Sequence, residues 1–156
     1  MNTRSSARAA LHRATSDDLD RLTPLVAAFH AEEGLDTDEP HRLRGIKPLL
    51  KGSPHGEFFL IGPRMAPAGY AMVCYGWSLE YGGLDAYLDE FYLRPAVRGR
   101  GIAGDVLHEL SQYLADKGAG ALALEVDHDN TAAITAYQRS GFEQRGRYGL
   151  MVRTLQ

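Results

Sequence analysis

The residues best equipped for chemistry gather in EFYLRPAVRGRGIAGDVL (90–107). Gly99, Gly101 and Gly104 fall within six residues, beside Arg94, Arg98 and Arg100. A strand ending near Leu93 and a helix starting near Ile102 would make this a strand-to-helix turn. Glycine lets the backbone approach a ligand closely, and the first amides of a helix point outward, unpaired, at the positive end of its dipole. That combination suits phosphate groups. A solvated turn with no ligand is the other reading of the same residues. Just upstream, Asp89 and Glu90 are paired carboxylates near the end of one strand, placed on opposite faces by strand alternation. Further on, Asn130 and Tyr137 stand seven residues apart on an expected helix. They differ by about 20° around its axis and by about 10.5 Å along it, so both can address one extended ligand. N-cap duty for Asn130 and core packing for Tyr137 are compatible with that role.

Gly99-Arg100-Gly101-Ile102-Ala103-Gly104 also spells GxGxxG, and Glu125 follows Gly104 by 21 residues. This approaches the dinucleotide-binding fingerprint. Against it, RPAVR separates the first glycine from the strand, three or four strands already precede the motif, and only 31 residues follow Glu125. The six histidines (His12, His30, His41, His55, His108 and His128) show no zinc-ligand spacing, and Asp127-His128-Asp129 reads as a polar loop, so no metal is expected. Cys74, mid-strand among apolar neighbours, is expected to be buried.

The elements that must position these residues follow from periodicity. Residues 8–14 suggest a first strand. Thr15 with Asp18 opens a capping-box-like start, and Leu19, Leu22, Val26 and Phe29 then recur at helical spacing until Gly34. Pro24 should kink or restart that helix. A second helix is expected at 40–51. EFFLIG (57–62), AGYAMVCYGW (68–77) and LDAYLDEFYL (84–93) read as strands, the last two joined as a hairpin across Gly82-Gly83. Ala103, Val106, Leu107, Leu110 and Leu114 form one stripe over 102–117, with Gly118 as the stop. ALALEV (121–126) reads as a compact buried strand, Asn130 caps a helix through Arg139, and Phe142 with 148–155 supplies one or two last strands. The order implies a mixed α/β sheet.

Composition narrows the class. The 156 residues make about one domain, and 44% hydrophobic with 24% charged residues is ordinary for a soluble fold. A net charge of −3 argues against a nucleic-acid partner. No apolar run is long enough to span a membrane. The start, MNTRSSARAALHRAT, lacks the apolar core of a secretory signal and reads as a tail leading into a strand, with a faint transit-peptide character. One cysteine excludes an internal disulfide and suits a reducing, cytoplasmic compartment.

Arg98-x-x-Gly101-x-Ala103 resembles the acetyl-CoA pyrophosphate loop, (Q/R)xxGx(G/A), of the GNAT superfamily of N-acetyltransferases. YLDEFYLRPAVRGRG resembles that family's fourth strand and loop. NTAAITAYQRSGF (130–142) resembles its second signature, an Asn, a Tyr seven residues on, then Gly-Phe. The resemblance runs from about residue 84 to 142; the N-terminal third carries no matching signature. It implies a single domain over 1–156, with a mostly antiparallel twisted sheet splayed between its fourth and fifth strands and flanked by about four helices.

It also implies roles. The turn Arg98, Gly99, Arg100, Gly101, Ile102, Ala103, Gly104 would hold the pyrophosphate of acetyl-CoA. The backbone of Phe91 and Leu93 would pair with strand-like pantetheine, and Asn130 would contact the same arm. Tyr137 would protonate the departing thiolate, a suitable task for a neutral phenol near pH 7. Asp89 occupies the family's carboxylate position, with Glu90 and Glu125 as lesser candidates for the base. Asp is shorter than the usual Glu, which favours a water relay, and positioning alone could replace a strong base. The Leu93 N–H could stabilise the oxyanion. Glu32, Glu33, Asp36, Asp38 and Glu39, in the segment that commonly borders the acceptor cleft, would favour a cationic small-molecule amine or a basic peptide, or form only a solvated loop. Tyr75, Trp77, Tyr81 and Tyr87 could line that cleft or simply pack in the sheet. The resemblance leaves open a homodimer and a non-catalytic acyl-CoA-binding module; a nicotinamide-dependent oxidoreductase is the remaining alternative.

Overall fold

The computed structural model describes residues 10–155, which divide into two units, one through Glu125 and one from Val126 on. Residues 1–9, including most of the expected N-terminal tail, lie outside the described residues.

The first unit is built on five strands in sequence order: β1 (Leu11–Arg13), β2 (Gly56–Ile61), β3 (Gly69–Ser78), β4 (Gly83–Leu93) and β5 (Leu122–Leu124). The first three junctions are antiparallel and only β4–β5 is parallel. A dinucleotide fold would need a doubly wound parallel sheet, so this topology removes the GxGxxG alternative. Helices α1 (Leu19–Glu32) and α2 (Glu39–Leu50) follow β1, and α3 (Ile102–Asp116) links β4 to β5.

Alternation along the strands divides the core. Leu22, Leu25 and Val26 of α1 and Ile46 and Leu50 of α2 pack on Phe58, Leu60, Tyr70 and Tyr92. On the other face Ile61 and Leu93 pack on Val106 of α3, and Phe59 meets Tyr113 edge-on at 5.1 Å. The α3 stripe is buried as its spacing predicts, at Val106, Leu107, Leu110 and Leu114.

Several expectations need correction. Helix α1 runs through Pro24 as one element. The proline removes only the bond to the Asp20 carbonyl, on an exposed turn where water can replace it. Strand β5 has three residues rather than six and is only half-buried, because it is the edge of this unit's sheet. Cys74 is half-buried rather than sealed in the core.

The second unit holds one helix, α4 (Thr131–Arg139), capped as expected by Asn130, whose Oδ1 accepts from the Ala133 N–H at 3.1 Å. No strand forms at Phe142 or at 148–155 among the described residues. A strand exists only as part of a ladder, and this unit by itself supplies no second strand.

Candidate active site

The strand that carries the paired carboxylates is not regular. Strand β4 pairs Glu90 with Met72 and Leu88 with Val73, leaving Asp89 as the extra residue of a β-bulge. Met72 and Cys74 are two apart on β3 and share a face, so their partners Glu90 and Tyr87 share it too, although they are three apart. The bulge therefore cancels the alternation expected to place Asp89 and Glu90 on opposite faces.

Glu90 lies under α1. Its Oε1 is 2.5 Å from His30 Nε2, and its Oε2 accepts from the Tyr70 hydroxyl at 2.6 Å. The His30 and Glu90 side chains are 12% and 16% exposed, a degree of burial that few unpaired charges tolerate. His30 Nδ1 lies 2.7 Å from Thr37 Oγ1, in the segment between α1 and α2. Burial, then the Glu90 carboxylate, pushes the Tyr70 phenol far above its ordinary value, so it remains a donor. Asp89 keeps an exposed edge. Partial desolvation, then the charges of Glu90 and Glu125, nevertheless raise its carboxyl above the usual range, with His30 opposing. Glu125, just past β5, accepts a short hydrogen bond from the Tyr87 hydroxyl.

Beyond the bulge, β5 no longer pairs with β4. The β5 ladder ends at Leu88–Leu124. The Arg94 N–H donates to the Ala68 carbonyl at 2.8 Å, so by alternation Glu90 and Tyr92 bond toward β3 while Phe91 and Leu93 face the other way. The Leu93 carbonyl is taken by Arg98 Nε at 2.9 Å; β5 does not reach the Phe91 or Leu93 amides.

The turn that follows is open. Gly101, at φ 79°, is the N-cap of α3, and Gly99 has φ 74°; both values lie in the left-handed region that favours glycine. A Cβ added at Gly99, Gly101 or Gly104 would meet nothing within 4 Å. The first i→i−4 bond of α3 runs from the Asp105 N–H to the Gly101 carbonyl (3.3 Å), and no side chain caps the end. The amides of Ile102, Ala103 and Gly104 therefore precede the helical ladder and are free of it. These donors and the room around them fit a pyrophosphate.

The arginines diverge rather than converge. Arg94 Nε donates to the Pro67 carbonyl at 3.1 Å. Arg98 lies over the Tyr92 ring at 5.5 Å, and its Nη2 pairs with Glu32 at 2.8 Å, a contact that raises its already high proton affinity. Arg100 is exposed.

Of the acids around the α1–α2 junction, Glu32 at the end of α1 is therefore held by Arg98, and Asp38 caps α2 by accepting from the His41 N–H at 2.8 Å. Tyr75 sits on the α3 face and donates to Glu57, away from the bulge carboxylates. Trp77 is 76% exposed, so sheet packing does not explain it. In the second unit Tyr137 is half-buried and packs edge-on against Phe142 at 5.6 Å. His30, Tyr70 and the buried Glu57 are polar residues that motif reading passed over. Among the described residues no His, Cys, Asp and Glu cluster could hold a metal ion, and no helix is long and apolar enough to cross a membrane.

Comparison with known proteins places these features in a lineage. A family model described as Acetyltransferase (GNAT) family matches residues 19–142. The chain is 28% identical over 140 residues to an uncharacterised N-acetyltransferase of Methanocaldococcus jannaschii, covering 86% of this chain and 61% of that protein. It is 33% identical over 120 residues to the streptothricin acetyltransferase of Streptomyces lavendulae, covering 76% and 57%. The chain thus spans about three-fifths of the length of these curated relatives. Among solved structures, an integron cassette protein from the mobile metagenome of Cole Harbour Salt Marsh superposes with a TM-score of 0.81 at 31% identity, over 94% of this chain and 90% of that one.

Proposed function

The chain belongs to the acetyltransferase (GNAT) family, and from that premise we propose that it moves the acetyl group of acetyl-CoA directly to a primary amine, within a ternary complex. The observation that carries the proposal is the open turn at Gly99–Gly104, with its uncapped helix amides and unfilled space, directly after a strand edge that β5 leaves unpaired. The turn amides, with Arg98 and Arg100, hold the pyrophosphate. Phe91 and Leu93 pair with the pantetheine arm through their backbone, and Asn130 contacts that arm by its amide. Residues 1–156 act as one acetyltransferase domain, a reading supported by the family match crossing from the first unit into the second.

Asp89 takes the proton of the acceptor ammonium, directly or through one water; its proton affinity is raised above that of an ordinary carboxylate, the direction a base needs. The amine lone pair then forms the new C–N bond, a backbone N–H of the β4 edge stabilises the oxyanion, and the thioester C–S bond breaks. Tyr137 gives its phenolic proton to the leaving thiolate, and the second proton, shed by the acylated nitrogen, restores the phenol through solvent. The exposed Glu33, Asp36 and Glu39 beside the α1–α2 junction support a cationic acceptor, a small amine or a basic peptide. A cytoplasmic setting and a homodimer complete the proposal; the single cysteine favours the former.

Isothermal titration with acetyl-CoA tests the cofactor: binding in the micromolar range is expected, and none at hundreds of micromolar would refute it. Thiol release over a panel of amines then separates an enzyme from a module that only binds the cofactor.

A further inference from the structure

Glu90 is gripped by two elements at once. His30 reaches it from α1 and Tyr70 from β3, one on each carboxylate oxygen. The grip extends outward, because Arg42 donates to both the carbonyl and the Oγ1 of Thr37, the latter at 3.3 Å. With its Oγ1 accepting a hydrogen bond from Arg42, Thr37 has its own hydroxyl hydrogen available for His30 Nδ1, 2.7 Å away. That leaves the Nε2–H tautomer of His30 directed at Glu90. Neither lysine nor arginine pairs with Glu90 or Asp89 among the described residues.

We propose that His30 is a positioning residue for the transfer: braced by Thr37 and acting with Tyr70, it clamps Glu90 at the bulge so that Asp89, and not Glu90, meets the acceptor amine. The inference rests on the acetyl-transfer reading above. With a neighbour on each of its oxygens, Glu90 has both of them engaged, whereas Asp89 keeps an exposed edge. A fixed anion one residue away presses on Asp89 and helps it hold a proton. The groups facing this pair are His30 from α1, Tyr70 and Cys74 from β3, Tyr87 and Tyr92 from β4, and Glu125 after β5.

Two measurements need no turnover. In carbon-13-detected titration of labelled aspartates, with Asp89 assigned from Asp89→Asn, Glu90→Gln should move the Asp89 midpoint to lower pH; an unmoved midpoint overturns the coupling. Nitrogen-15 shifts should report the Nε2–H tautomer of His30 in the wild type and lose that preference in Thr37→Val. Averaged ring shifts in the wild type overturn the brace.

Kinetics with acetyl-CoA and a diamine or a lysine amide then test the role. His30→Leu should lower kcat on the order of 10- to 100-fold with little change in KM for acetyl-CoA. His30→Gln, which keeps a donor at similar reach, should recover most of the rate, and Glu90→Gln added to His30→Leu should cost nothing further. A normal rate in His30→Leu, or independent losses in the double variant, overturns the positioning role. Absence of thiol release from the wild type with every amine refutes acetyl transfer alone, and the two spectroscopic measurements then decide the clamp.

Discussion

Two glutamates on opposite faces of one sheet have opposite electrostatic surroundings. Glu57, on β2 and 4% exposed, faces α3. It accepts from Tyr75, and from Tyr113 at 2.9 and 3.1 Å, and it pairs with Arg13 at 2.6 Å and Lys117 at 3.5 Å. Burial alone would push its carboxyl up, but the two phenols and two cations outweigh that and hold it below the ordinary range. Glu90 faces α1, accepts from one phenol and meets one imidazole, with Asp89 beside it, itself within electrostatic reach of Glu125. One carboxylate is over-neutralised and serves the fold. The other is held in place while a like charge is left next to it, a local conflict of the kind proteins keep at functional positions.

Asp89→Asn should show the largest effect. Removing the proposed base should lower kcat/KM about 100-fold or more, while thermal stability holds or rises because a like-charge contact is gone. Thiol release and thermal unfolding measure the two quantities. Parallel loss of both would mean that the bulge carboxylate serves the fold after all. Glu57→Ala should behave in the opposite way. It strands two phenols and removes the partner of two cations, which should cost about 2–3 kcal/mol in urea unfolding. The rate per folded molecule should stay near wild type. A selective loss of rate would erase the distinction between the two faces.

Acid titration of stability separates the pair by sign. Glu57 is held low, so its contribution is complete above the unfolded glutamate value of about 4.3 and is lost as pH falls through the folded value. Glu57→Gln should flatten the acid limb of the unfolding curve. Asp89 is held high, so its ionisation costs stability, a cost that grows as pH rises from the unfolded toward the folded value. Asp89→Asn should steepen the same limb. Shifts in the same direction would refute the contrast.

Local patterns made the frame legible. The α3 stripe, the hairpin between β3 and β4, the glycine turn and the Asn130 cap each depend on residues close in sequence. The bulge does not: it arises from the register of β4 against Met72 and Val73, and the alternation rule placed Asp89 and Glu90 wrongly as a result. Glu57 looked like the polar lead of an apolar run because its partners come from three separate parts of the chain: Arg13 of β1, Tyr75 of β3, and Tyr113 with Lys117 at the end of α3. His30 had a readable signal. It follows buried Leu22 and Val26 by eight and four residues, on the stripe that must face the sheet. Scanning histidines only for metal spacing missed it. The expected strands at 148–155 depend on a partner strand, which local pattern cannot supply.

Lys117→Met should show the smallest effect and asks what neutralises Glu57. Lys117 is 40% exposed and 3.5 Å from the carboxylate, so water screens the pair and its worth is below about 1 kcal/mol. Its ammonium also lies 5.1 Å from the Tyr75 ring centroid and 5.8 Å from that of Tyr113, contacts worth about 0.5–1 kcal/mol at an exposed site. Methionine keeps much of the apolar stem that covers those rings. Urea unfolding should therefore show a loss near 1 kcal/mol or less, with the acid limb moved to slightly higher pH because one of two cations is gone. A loss as large as that of Glu57→Ala would mean that the phenols and Arg13 cannot hold the carboxylate without the lysine. Glu57 would then be a carboxylate that hangs on one neighbouring side chain, and the contrast between the two faces would rest on Asp89 alone.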